Sequence, residues 1–281
     1  MIECSSVQKH VIRTHYDVGT LFYRLLWGPH IHHGYWEDDE SPSEAQEKLI
    51  RRLSVAAKVD PHQVVYDIGC GIGGSSLWLA KELGCHVTGV TISPWQKRWA
   101  TAAARWSSVR PTPDYRCADA EQIQFEPASA DVVWSIECTE HLFDQPAFFR
   151  RAAEWLTPGG RMAICAWLAG ESPLGEERER LVKRVCEGMF CPSLGSRQDY
   201  QDWMEDAGLK LEVSELWTEH VMRTWEICLA RTQKIHLRRI AQWIGANHVL
   251  FLDHFMAILD AFRTRAMEYG CFIALRPQAV P

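Results

Sequence analysis

Short apolar runs alternate along the chain with segments whose apolar residues recur every three or four positions. Ser41-Pro42-Ser43-Glu44 is a capping box, with Ser41 as N-cap, proline at the first helical position and Glu44 three residues on. Leu49, Leu53 and Ala56 follow at helical spacing, and Pro61-His62 ends that helix. Val64 to Ile68 is then an apolar run broken only by Asp67, too short for a helix and suited to a buried strand. A glycine-rich turn leads from it into a second apolar helical pattern. Cys85 to Ile92 reads as the next strand, and Ser93-Pro94 opens the helix after it. Asp114 to Ala118 is a short strand that ends at Asp119, and Ala130 to Ile136 is a fourth. Gln145 to Leu156 reads as a helix closed by Thr157-Pro158-Gly159-Gly160, and Arg161 to Trp167 as a fifth strand. Strands alternating with helices predict an α/β fold whose parallel sheet is covered on both faces. Ligands of such sheets bind at the carboxyl ends of the strands.

Two stretches fall outside this rhythm. Residues 1–40 are expected to form a helical cap or lid over a ligand-binding core of residues 41–170. Residues 171–264 are expected to be a helical, substrate-binding insert with one strand. Its helices run from Glu176 to Met189, from Ser196 to Ala207, and from about Trp225 to Arg263. Leu252, Phe255, Met256, Leu259 and Phe262 form an apolar stripe, read as a core face before a membrane face. Arg231, Lys234, Arg238 and Arg239 read as a solvated face, with phosphate or membrane contact as the lesser alternative. Leu209 to Leu216 and Gly270 to Leu275 read as a closing pair of strands, the second lying in a final segment, 265–281, that completes the core sheet.

Composition narrows the class. At 281 residues and 47% apolar content, the chain can bury a sizeable core. No apolar run approaches the roughly 18 residues of a membrane span. Met1-Ile2-Glu3-Cys4-Ser5 lacks the pattern of a signal peptide, so a cytoplasmic protein is expected. A formal net charge of −6 argues against nucleic acid as a partner. Ten scattered cysteines contain no CxxC, which disfavours both a zinc site and a disulfide framework. Thirteen tryptophans can serve as core or as walls of an apolar pocket.

The turn after the first core strand holds the candidate chemistry. Asp67-Ile68-Gly69-Cys70-Gly71-Ile72-Gly73-Gly74 lets backbone lie directly against a ligand. It lacks the Gly-Lys-Ser/Thr ending of a P-loop. An acid before the loop suits a cationic ligand better than a phosphate. The next strand ends in Thr91, Ile92 and Gln96, where a nucleoside cofactor commonly meets an acid; Thr91 and Gln96 can hold a ribose with neutral hydrogen bonds. Asp119 and Ala120 can accept from and donate to an adenine, although Asp119 alone also suits a helix N-cap. Ile136 ends the fourth strand, and Glu137, Glu140 and His141 follow it as candidate acid–base groups. Capping a helix or pairing with an arginine is their plainer role. His30, His32 and His33 invite a metal reading, but no carboxylate stands at ligand spacing and no metal is expected.

The glycine loop resembles the cofactor loop of class I methyltransferases that use S-adenosylmethionine. His15-Tyr16-Asp17, the run Phe22 to Trp36, Val87 to Gln96, Glu140-His141 and Pro158-Gly159-Gly160 together resemble the tocopherol methyltransferase family. Ser196 to Tyr200, Ala207 to Leu209 and Trp217 to Val221 extend the likeness over nearly the whole chain. The resemblance implies a Rossmann-like methyltransferase sheet that binds S-adenosylmethionine through Tyr16, Asp67, Gly69, Gly71, Gly73, Thr91, Ile92, Gln96, Asp119, Ala120 and Ile136. It implies an apolar small-molecule acceptor, most simply a carbon of a phenolic, prenylated or terpenoid metabolite. Glu140 or His141, and after them Glu137, are then expected to take the departing proton. Trp27, His33, Tyr35, Trp167, Tyr200 and Trp217 are the expected acceptor wall. N-methylation of an amine, a cyclase on the same fold, and a cofactor-binding protein without turnover stay open, as does a homo-oligomer.

Overall fold

The computed structural model describes residues 1–4, 6–28, 30–234 and 254–278. Its main sheet is built from β2 (Val64–Ile68), β3 (His86–Thr91), β4 (Asp114–Cys117), β5 (Ala130–Ile136), β6 (Leu156–Ala169), β8 (Lys210–Leu216) and β9 (Met267–Leu275). The order in space is β4-β3-β2-β5-β6-β9-β8. The first five strands are parallel, and β9 runs antiparallel to both β6 and β8. A separate antiparallel pair joins β1 (Ile2–Glu3) to β7 (Ser193–Leu194). The expected closing strands are present, with β9 inserted between β6 and β8. β6 starts earlier than expected: Leu156 already pairs with Ala130, the chain bulges, and regular pairing resumes at Arg161 opposite Val132. Pro158 has no N–H to give a neighbouring strand, and Gly159 at φ +87° makes the detour.

The helices are α1 (Lys9–Trp27), α2 (Pro42–Ala56), α3 (Gly74–Leu83), α4 (Pro94–Ser107), α5 (Gln145–Trp155), α6 (Glu176–Met189), α7 (Arg197–Asp206), α8 (Thr218–Lys234) and α9 (Phe255–Arg263). Their starts follow the capping chemistry. Ser41 and Glu44 close a reciprocal box on α2, and Ser196 and Asp199 do the same on α7. The helix expected from about Trp225 begins instead at Thr218. Leu252, Arg238 and Arg239 lie outside the described residues, as do the side chains of Lys234 and Trp27. Phe255, Leu259 and Phe262 are buried, whereas Met256 is exposed and leaves the stripe.

Period-two alternation along the strands separates two cores. Val65, Val132, Trp134, Ala163, Cys165 and Ile273 face α2, α3, α6, α8 and α9. Tyr66, Val133, Met162, Ile164, Phe272 and Ala274 face α5 and α7. A one-residue slip in any central strand would exchange the two sets. The carboxyl ends of β2, β3 and β5 meet at one rim, where the Ser135 hydroxyl donates to the Ile68 carbonyl at 2.8 Å. α1 and the segment 30–36 lie against that rim. Gln46 of α2 donates to the carbonyls of His30 and His32, and Thr224 of α8 accepts from the Gly34 amide and the Trp36 indole.

Candidate active site

The loop from β2 into α3 is anchored by the amides of Gly69 and Cys70, which both donate to the Val90 carbonyl at 2.9 Å. Its glycines have different reasons. A Cβ on Gly69 would sit 2.2 Å from that of Cys138, and one on Gly73 would sit 2.6 Å from the Tyr115 hydroxyl. Gly71, at φ +54°, faces nothing within 4 Å. Gly71 therefore opens onto ligand space, while Gly73 is turned against Tyr115 and Ala100 rather than toward a ligand. Asp67 is buried, and burial raises its carboxyl to about 7 against the hydrogen bond it accepts from the Ser76 hydroxyl at 2.5 Å.

The β3 end is a neutral network. Thr91 donates to Gln96 Oε1 at 2.7 Å, leaving the Gln96 amide nitrogen as the free donor of the pair. Ser93 caps α4 by accepting from the Gln96 backbone N–H and donates to Asp17 of α1 at 2.6 Å. Asp119 is drawn into a charge cluster: Lys9 of α1 reaches it at 2.8 Å and Glu121 at 2.5 Å, and the Glu121 amide donates to Asp119 Oδ1 at 2.9 Å. Sequence reasoning overlooked Lys9. Nothing local marks a lysine whose partners stand more than a hundred residues away.

Opposite this wall, the chain turns sharply after β5. Glu137 takes φ +54°, a conformation costing a non-glycine residue roughly 1–3 kcal/mol. Its carboxylate accepts from the His33 amide and the Tyr269 hydroxyl, each at 2.8 Å. The His33 ring nitrogen Nδ1 also lies 2.9 Å away, though without hydrogen-bond alignment. Burial would raise the Glu137 carboxyl, but His33 and its amide, with His32, hold it below the ordinary range. Glu140 is the reverse case. It is buried, both oxygens lack a hydrogen-bond partner, and burial and then the Glu137 charge push its carboxyl well up. His141 donates from Nδ1 to the Phe190 carbonyl at 3.1 Å, since a carbonyl can only accept. Nε2 is then the acceptor for the Tyr16 hydroxyl at 2.9 Å. Burial lowers the His141 pKa, which favours this neutral form.

These walls border a cavity with about 750 Å³ of empty space, part of it open to solvent. Gly69, Gly71, Thr91, Ile92, Gln96, Asp119, Ala120 and Ile136 line it with Lys9; Tyr16, Glu137, Cys138 and His141 complete the lining. A second cavity of about 330 Å³ adjoins it through the shared residues Ile31, Gly69, Gly71 and Ile136, and is lined by Asp67, His30 and His32. Burial, then His32 and Arg24, lowers His30 to about 3.

The remaining candidates are placed elsewhere. Glu140 does not line the main cavity. His33 sits behind Glu137 among Trp167, Trp225, Phe262 and Tyr269. Tyr35 stacks on His220 and meets Trp217 edge-on, away from the cavity. Tyr200 is core, against Phe149 and Phe272, with its hydroxyl 2.7 Å from that of Thr139. No described residue of 171–234 lines the main cavity, although the Phe190 carbonyl orients His141. Ile31, Tyr269 and Phe190 were not foreseen; their signal is only in the packing. Among the described residues no group of three His, Cys, Asp or Glu stands together as a metal site, and no helix is long and apolar enough to cross a membrane.

The family model for mycolic acid cyclopropane synthetase matches residues 5–269. The chloroplastic tocopherol O-methyltransferase of Arabidopsis thaliana is 31% identical over 228 residues, 75% of this chain and 66% of that protein. The 27-O-demethylrifamycin SV methyltransferase of Amycolatopsis mediterranei is 31% identical over 247 residues, 87% of this chain and 90% of that protein. The crystal structure of mycolic acid cyclopropane synthase CmaA1 complexed with SAH and CTAB superposes with a TM-score of 0.85 at 22% identity, covering 94% of this chain and 96% of that one. The chain thus spans just under two thirds of the length of the plant relative.

Proposed function

Because the chain belongs to the mycolic acid cyclopropane synthetase family, we propose that it transfers the methyl group of S-adenosylmethionine to an apolar small molecule. The observation that carries this reading is the pair of joined cavities: backbone opens onto ligand space at Gly71, and the Tyr16–His141 pair stands on the facing wall. The fit to the cofactor is chemical as well as spatial. The larger cavity offers apolar Ile92 and Ala120 for a flat base and the neutral Gln96 amide for ribose hydroxyls. The smaller offers Asp67 for an ammonium group and the neutral His30 imidazole for a carboxylate.

When bound, S-adenosylmethionine supplies an activated methyl group, so the protein's tasks are alignment and exclusion of water. Ile31 and Ile136, shared by both cavities, form the apolar waist that does the second. A carbon acceptor must lose a proton as the new bond forms. His141 Nε2 takes it through the Tyr16 hydroxyl: Tyr16 receives the acceptor's proton and passes its own to the imidazole, whose Nδ1–H stays on Phe190. Glu140, expected as a base, does not line the main cavity, burial favours its protonated form, and it is assigned no proton-accepting role. Glu137 is a strut that fixes the segment 30–36 over the waist. The acceptor class is a phenolic, prenylated or terpenoid carbon. Eight of the ten free cysteines are buried, a set suited to a reducing compartment such as the cytoplasm.

The test is incubation with S-adenosylmethionine and a panel of prenylated quinols, terpenoids and apolar amines. Formation of S-adenosylhomocysteine with a C-methylated product supports the reading. Methylation of amines alone would remove the proton relay, and absence of S-adenosylhomocysteine binding by calorimetry would sink the whole assignment.

A further inference from the structure

α4 carries two unlike faces. Gln96, Ala100 and Ala104 are buried, and the two small alanines seat the helix closely on the sheet. On the other side Trp95, Trp99 and Trp106 are 58%, 42% and 86% exposed. At about 100° per residue they fall within roughly 40° of one another, and a rise of about 1.5 Å per residue makes the stripe roughly 16 Å long. They are the exposed tryptophans among the described residues; the others with described side chains are buried. Single exposed apolar residues are ordinary, but three indoles in line form a patch that folding leaves without a partner.

The charge around the stripe runs against the charge of the chain. Residues 94–116 hold Lys97, Arg98, Arg105, Arg110 and Arg116 against Asp114 alone, in a protein of formal net charge −6. Arg98 lies over the Trp95 ring at 5.3 Å, and Arg116 is 3.9 Å from Asp114. Among the described residues Lys97, Arg98, Arg105 and Arg110 form no ion pair with a carboxylate. We propose that this face of α4 docks on an anionic lipid surface. Indoles favour the boundary between head groups and acyl chains, and flanking arginines meet lipid phosphates. A convex helix face also provides no groove to track a nucleic-acid strand. Gln96 on the buried face of the same helix lines the main cavity and α1 packs beside it, so the docking face and the cavity share one helix. The benefit to an apolar acceptor rests on the proposed methyl transfer; the docking does not.

The test is co-sedimentation with phosphatidylglycerol–phosphatidylcholine vesicles and with pure phosphatidylcholine vesicles. The wild type is expected to bind the anionic vesicles about tenfold or more tightly than the neutral ones, and less tightly as salt rises. The triple variant Trp95→Ala, Trp99→Ala, Trp106→Ala and the double variant Arg98→Glu, Arg105→Glu should each lose about tenfold. S-Adenosylhomocysteine binding, read by calorimetry, should stay unchanged in both, which separates loss of docking from loss of the cofactor site. Equal vesicle binding by wild type and a folded triple variant overturns the proposal. So does a wild type that ignores vesicles but forms a dimer the triple substitution dissociates. If the triple variant does not fold, brominated anionic lipid decides with the wild type: quenched tryptophan emission supports docking, and unquenched emission overturns it.

Discussion

The two walls of the main cavity are made differently. The cofactor wall, from Asp67 to Gln96, is a loop and a helix start held by contacts within thirty residues: Gly69 on Val90, Asp67 on Ser76, Thr91 on Gln96. The facing wall is assembled from distant pieces. Tyr16 meets His141 across 125 positions, and Glu137 meets Tyr269 across 132. A wall of local contacts is set when its strand and helix form. A wall of long-range side-chain pairs is correct only when the whole fold is closed.

The largest effect is expected where the first wall has no tolerance. Gly71→Val puts a branched side chain at φ +54° and into ligand space, and should weaken S-adenosylhomocysteine binding by about 10²-fold or more. Because nothing in the protein lies within 4 Å of that Cβ, the melting temperature should fall only modestly. Retained binding in calorimetry would place the cofactor elsewhere.

On the facing wall, His141→Ala should lower kcat on a carbon acceptor by about 10²-fold or more with cofactor affinity nearly unchanged. Tyr16→Phe should cost about tenfold, since the ring stays and only the relay is cut. Glu140→Gln should change kcat by less than about threefold, because burial favours the protonated carboxyl and the residue does not line the main cavity. A large loss in Glu140→Gln with a silent His141→Ala would reverse the assignment. His141 is lowered from the ordinary 6.5 by burial, so the acid limb of kcat against pH should lie below that value and disappear in His141→Ala.

Asp67 joins the comparison through pH. Its folded pKa, about 7, stands above the ordinary 3.8, so the folded apo protein holds more protons than the unfolded chain between those values. Stability therefore falls as pH rises through that window, by an amount on the order of a few kcal/mol. Thermal melts of Asp67→Asn should lack this slope. Cofactor binding, which brings an ammonium group to the carboxylate, should release a proton near pH 6.5, visible as a buffer-dependent binding enthalpy. The smallest effect is expected for Lys9→Ala. Its ion pairs are partly exposed and contribute about 1 kcal/mol or less to stability, so a few-fold faster cofactor release should be the main consequence.

What was legible in the sequence divides along the same line. The Ser41–Glu44 box, the strand from Val64 to Ile68 and the helix start at Ser93 all stand as read, because capping and alternation act between near neighbours. The loop glycines were read as one cradle, whereas Gly73 serves the packing of Tyr115 from another strand. The aromatic residues beyond the core misled in the same way. Tyr35, Tyr200 and Trp217 have the composition of a pocket wall, but burial against His220, Phe272 and Glu215 makes them structural.

The sequence by itself determined the order of strands and helices along the chain, the place of the glycine-rich turn after β2, and the identity of the titratable groups after β5. Local periodicity and turn chemistry suffice for those. Only the tertiary structure decided which of Glu137, Glu140 and His141 faces the cavity, and in which protonation state. That depends on desolvation and on partners such as Phe190, Tyr269 and Tyr16, which close packing brings together from across the chain.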